Sequence, residues 1–143
     1  MQDTAKHSLS LRKMGPVFLT LAEVVEIHCD QINRYGGKPE IRDIELLESA
    51  AAMPYQTFAG KFLHKNIFEM AAAYAYHISE NQPFMDGNKR VALAAALVFL
   101  EMNGISLNDP EEKLLKAMHM VANKKLDKSG LAEVLKDLAE RTS

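Results

Sequence analysis

The groups best suited to chemistry lie together in Asn81-Gln82-Pro83-Phe84-Met85-Asp86-Gly87-Asn88-Lys89-Arg90. Gly87 permits a backbone turn that other residues resist, and a helix is expected to start at Asn88. A turn placed directly ahead of a helix leaves several N–H groups unpaired and pointing outward, where the helix dipole favours negative charge. Lys89 and Arg90 fall in the first turn of that helix, a mildly unfavourable place for cations unless an anion lies against the amides. Arg90 can grip a phosphate through two parallel hydrogen bonds, and Lys89 adds a point charge beside it. Asp86 alone would repel phosphate, but a carboxylate beside a polyphosphate commonly holds magnesium. The string therefore carries parts for ATP, or another nucleoside triphosphate, with Mg. Asp86-Gly87-Asn88 by itself is also a common turn and N-cap with two solvated cations, and the Asp-Gly dipeptide alone favours that plainer reading.

The elements that must position this loop are helical. Thr20 and Glu23 stand in capping-box spacing, and Leu21, Val24, Val25, His28 and Ile32 mark one apolar stripe, which predicts a first helix ending before Gly36-Gly37. Asp43 caps a second helix that Pro54 terminates. Between Pro54 and Lys65 periodicity fails, and Tyr55, Phe58, Gly60 and Phe62 suggest a flap or short hairpin. Asn66 caps a third helix running to about Ser79, and Pro83 interrupts before the fourth, which stops at Asn103-Gly104. Asp109-Pro110-Glu111-Glu112 carries the signals of a fifth start, with Asp109 as N-cap, and Ser129 is read as the N-cap of the last helix, ending near Arg141. The expectation is an all-α bundle of about six helices, with a flexible arm over residues 1–16 and one domain over residues 17–143.

Length and composition agree with one domain: 143 residues and 48% hydrophobic content suffice for a single core. The net charge of -2 shows no basic excess, so direct nucleic-acid binding is unsupported. The single Cys29, expected to be buried, cannot form an internal disulfide, and no zinc-ligand spacing accompanies it. The longest apolar run, residues 91–100, is too short to span a membrane, and a cytoplasmic protein is expected. His7, His28, His64 and His119 share no metal-ligand spacing with carboxylates, and the scattered methionines read as core filler.

The whole string resembles the signature of the Fic/Doc family, His-x-Phe-x-Asp/Asn-Gly-Asn-x-Arg. Phe18-Leu19-Thr20, Tyr35-Gly36-Gly37, Ile41-Arg42-Asp43, Leu47-Glu48-Ser49-Ala50, Phe68-Glu69-Met70-Ala71-Ala72-Ala73 and residues 90–100 are similar to corresponding stretches of its death-on-curing branch. The resemblance implies a Fic/Doc-like helical fold and transfer of part of a nucleotide to a protein hydroxyl. Asp86 would coordinate magnesium, Gly87 and Asn88 would line the phosphate cradle, and Arg90 would neutralise the transferring or terminal phosphate. Lys89 stands where most AMP-transferring relatives have Gly. It marks the branch whose kinase phosphorylates elongation factor Tu, usually a toxin restrained by a cognate antitoxin. The flap around Phe58 would receive the target segment, and Phe84 is expected to anchor the loop in the core.

The departure is Gln82, which occupies the position of the family's His. Its carboxamide can orient a hydroxyl but cannot take its proton at neutral pH. General-base catalysis contributes about 10²- to 10⁴-fold, so impaired transfer is expected, although phosphoryl transfer through a loose transition state retains some rate from positioning alone. His77 and Glu80 are the substitute bases nearest in sequence, but they read more readily as a helix-end side chain and a solvated one. Ser129 to Glu133 approximates the family's inhibitory motif, but Val134 replaces the required Gly or Asn, so no built-in inhibitor is inferred. A non-catalytic nucleotide- or antitoxin-binding regulator and an AMP-transferase are the alternative readings, and the oligomeric state is left open.

Overall fold

A computed structural model describes residues 15–109 and 111–142, so most of the expected arm at residues 1–16 lies outside the described residues. Helix α1 (Leu21–Tyr35) begins at the predicted capping box: Thr20 Oγ1 accepts from Glu23 N at 3.1 Å, and Glu23 Oε1 accepts from Thr20 N at 2.8 Å. Val24, His28 and Ile32 of the expected stripe are buried. The chain leaves α1 through Gly36 and reaches α2 (Ile44–Ala52), where Asp43 Oδ1 accepts from Leu46 N at 3.1 Å.

Pro54 stops α2 in a single 3₁₀ turn, Met53–Tyr55. The flap is then a hairpin of β1 (Thr57–Phe58) and β2 (Lys61–Phe62), pairing Thr57 with Phe62 and Phe58 with Lys61. Ala59 and Gly60 both have positive φ, as the primed two-residue turn requires. Phe18 anchors the inner face of the hairpin, its ring centroid lying 5.5 to 5.7 Å from those of Phe62, Tyr55 and Phe99. Phe58, by contrast, is 78% exposed.

Helix α3 (Ile67–Asn81) begins at Asn66, whose Oδ1 accepts from Phe68 N and Glu69 N. It packs most extensively against α4 (Asn88–Met102). Ala71, Ala72 and Ala75 on one helix and Ala92, Ala95 and Ala96 on the other are all buried in one core cluster, and such small side chains let two helices approach closely. Tyr74, Ile78, Phe99 and Leu100 fill the space around them. The loop joining α3 to α4 is consequently suspended between two rigidly packed helix ends. Helices α5 (Lys113–Ala122) and α6 (Lys128–Thr142) close the bundle, with Leu114, Met118, Leu131 and Leu135 in the same core. The fold is all-α, with six α-helices and the hairpin among the described residues.

Local signals misplace several boundaries. Helix α3 runs past Ser79 to Asn81, and left-handed Gln82 ends it. Helix α5 starts at Lys113, after a left-handed Glu112, and Asp109 reaches forward to accept from Lys113 N and Leu114 N. Helix α6 starts at Lys128, where Asp127 Oδ1 accepts from Gly130 N at 2.7 Å; Ser129 lies inside the first turn and is not the N-cap. Cys29 is exposed, because it follows His28 around α1 and falls off the buried stripe.

Candidate functional site

The loop between α3 and α4 is fixed by backbone pairing before any ligand is considered. Ile41 and Phe84 form an antiparallel bridge, Arg42 N and Asp43 N donate to Pro83 O, and Met85 N donates to Glu40 O. The Arg42 side chain donates to Gln82 O at 2.7 Å and Asn81 O at 3.0 Å, satisfying carbonyls at the end of α3. Phe84 is 1% exposed and stacks on His28 at 3.7 Å between ring centroids. His28 Nε2 in turn lies 2.9 Å from Asp86 O. Phe84 is thus the expected anchor, and His28 is a partner that helical periodicity identified only as part of the stripe.

Asn88 turns back onto the loop. Its Oδ1 accepts from Phe84 N and its Nδ2 donates to Phe84 O, each at 3.0 Å. The Asn88 carboxamide is therefore committed to holding the turn, and what it offers to the cleft is chiefly backbone. Gly87 (φ 79) precedes α4 in the left-handed region, and no side chain caps this helix. Every other described α-helix has a side-chain oxygen on its first-turn amides: Thr20, Asp43, Asn66, Asp109 and Asp127. The N-terminus of α4 faces a cleft instead.

That cleft is about 660 Å³ and is lined by Gln82, Asp86, Gly87, Asn88, Lys89 and Arg90 on one side, within the size range of small-ligand sites. Arg90 is half-buried; its Nη2 donates to Gly36 O at 3.1 Å and its guanidinium carbon lies 5.4 Å from the Tyr35 ring centroid. One end of the fork is thereby oriented, leaving further N–H donors for the cleft. Lys89 is exposed. Asp86 Oδ2 accepts from Lys38 N at 2.8 Å, which turns the carboxylate without closing the cleft over it.

Gln82 lines the same cleft, with its backbone at φ 46. The two upstream residues proposed as substitute bases are otherwise engaged. His77 Nε2 lies 3.1 Å from Lys128 Nζ, and burial, followed by the Lys128 charge, pushes this imidazole down to about 4. Glu80 does reach the cleft, but Lys124 Nζ donates to both its oxygens at 2.7 Å, correcting the expectation of a solvated side chain. The opposite wall is built by α5 through Leu115, His119 and Ala122. No local motif marks that wall, since it arises only when α5 folds back beside the end of α3.

Magnesium usually keeps one or two protein carboxylates and completes its shell with phosphate and water. The residues fit such a group: Asp86 stands beside an uncapped helix N-terminus, with two cations at the same opening. Among the described residues no cluster of three or more His, Cys, Asp or Glu side chains is arranged as an all-protein metal site. No helix among them is long and apolar enough to cross a membrane.

A family model described as "Fic/DOC family" matches residues 18–100. The chain is 34% identical over 107 residues to "Toxin Doc" of Mycolicibacterium smegmatis, covering 73% of this chain and 82% of that protein. It is 33% identical over 90 residues to "Protein kinase doc" of Escherichia phage P1, covering 63% of this chain and 71% of the relative.

Proposed function

Since this chain belongs to the Fic/DOC family, in its death-on-curing branch, we propose that it transfers phosphate from a magnesium nucleoside triphosphate to a protein hydroxyl. The observation that carries this reading is the N-terminus of α4, which lacks a side-chain cap and opens on a cleft beside Asp86, Lys89 and Arg90. The backbone N–H groups after Gly87 hold phosphate oxygens, helped by the helix dipole. Arg90, steered by Gly36 O, neutralises the phosphate through its free donors, and Lys89 supplies a second positive charge. Asp86 is the residue that would hold magnesium, and the ion would supply positive charge against the phosphates there.

The names of the two relatives, a toxin and a protein kinase, support a toxin that acts as a kinase. The family resemblance extends the proposal to a cytoplasmic toxin of a toxin–antitoxin pair, with an elongation factor Tu-like target and a cognate antitoxin as partners. The exposed hairpin edge around Phe58 receives the target segment by strand addition, bringing its hydroxyl over the loop. Gln82 favours a second reading, a nucleotide- or antitoxin-binding regulator that has lost turnover. Incubation with purified elongation factor Tu and ATP labelled in the γ- or α-phosphate separates the possibilities. The parent chain should transfer γ-label slowly, and Gln82→His should raise the rate by about 10²-fold or more. Transfer of α-label would identify AMP transfer instead. Nucleotide binding without turnover in either form would favour the regulator.

A further inference from the structure

We propose that His119 is the proton acceptor in the residual phosphoryl transfer of this chain, replacing the imidazole absent at Gln82. The inference rests on the phosphoryl-transfer reading above.

His119 is the only histidine among the described residues lining the cleft that contains Gln82 and the α4 N-terminus. It is exposed in the last turn of α5, and no hydrogen bond or ion pair engages its ring among the described residues. Its placement is structurally enforced. Asn123 N donates to His119 O, closing the end of α5, and Lys124 then clamps Glu80, two residues before Gln82. The end of α5 is thereby tied to the end of α3, on the side of the cleft where Gln82 stands.

The competing groups have other commitments. Glu80 is held by Lys124, His77 faces Lys128, and Asp86 accepts from Lys38 N beside the phosphate cradle. A neutral imidazole in the cleft can do what the Gln82 carboxamide cannot. In the proposed step the target hydroxyl oxygen forms a bond to the γ-phosphorus, and the bond from that phosphorus to the β–γ bridging oxygen breaks. The hydroxyl proton passes to a ring nitrogen of His119, and the nucleoside diphosphate leaves with the bond's electron pair. The other titratable groups lining the cleft are Glu80, Asp86, Lys89 and Arg90 from the α3–α4 side and Lys124 just beyond the end of α5.

The test is a double-mutant cycle of Gln82→His and His119→Gln, read by γ-label transfer to elongation factor Tu between pH 5 and 9. In the parent background, His119→Gln should lower the rate at least tenfold and alter the shape of the pH–rate profile. In the Gln82→His background, the same change should cost only a few-fold, because position 82 then supplies the base. Equal loss in both backgrounds, or no loss in the parent, overturns the assignment. A silent parent beside an active Gln82→His variant overturns it as well, while leaving the phosphoryl-transfer reading intact. Silence of both forms sinks that reading itself. Independently of turnover, the ring-proton resonance of His119 should shift when magnesium and a non-hydrolysable ATP analogue are added. An unmoved resonance under saturating analogue contradicts a place for His119 in the occupied cleft.

Discussion

Asn88 illustrates how residue type and residue role separate. Its position after Gly87 marks a turn, yet its side chain holds Phe84 N and O and so preserves the loop's curvature. Asn88→Ala should remove both bonds and cost about 1–3 kcal/mol, measured by urea unfolding. A neutral change would mean that the bridge to Ile41 suffices to hold the turn. Gly37 was legible only as part of a helix stop, but its φ is +118, and an added Cβ would lie 3.1 Å from Asp86 Cβ and from Ile32 Cδ1. Gly37→Ala should therefore displace the Asp86 carboxylate as well as strain the backbone, weakening magnesium-dependent nucleotide binding more than magnesium-independent binding. An equal effect on both would remove Asp86 from the proposed metal role. No inspection of neighbours along the chain reveals this contact, because Gly37 and Asp86 meet only through the tertiary fold.

At the scale of elements, helix starts were legible where donor and acceptor lie within one turn. Thr20, Asp43 and Asn66 each cap as their spacing predicts, and Thr20→Ala should cost about 1 kcal/mol in thermal or urea unfolding. A loss much smaller than that would show that tertiary packing alone fixes the start of α1. Helix α5 escaped because Glu112 takes a left-handed conformation and Asp109 reaches across it. The α3–α6 contact adds a pH dependence that local patterns do not announce. His64 and His77 are both lowered, first by burial and then by the Lys128 charge, His77 to about 4. The unfolded chain therefore takes up protons first as pH falls below about 6.5, so the stability associated with the neutral rings is present above that pH and lost progressively toward about 4. The melting temperature should fall between pH 7 and 4.5, and His77→Gln should flatten the fall. An unchanged slope in His77→Gln would place the acid sensitivity elsewhere.

For the molecule as a whole, the bundle was readable from helical periodicity and the loop from its own residues, but the cleft was not. Its far wall comes from Leu115, His119 and Ala122, about thirty residues beyond the motif, placed there by the Lys124–Glu80 clamp and the packing of α5 on the core. The central claim is that this cleft binds a magnesium nucleoside triphosphate at the open end of α4. Calorimetric titration of the chain with ATP and magnesium, beside the Arg90→Ala variant, tests it most directly. The account predicts saturable, magnesium-dependent binding to the parent and at least a tenfold loss in the variant, as expected for removal of a charge-assisted hydrogen bond of about 1.5–3 kcal/mol. Absence of binding to the parent, or equal affinity in Arg90→Ala, would contradict it.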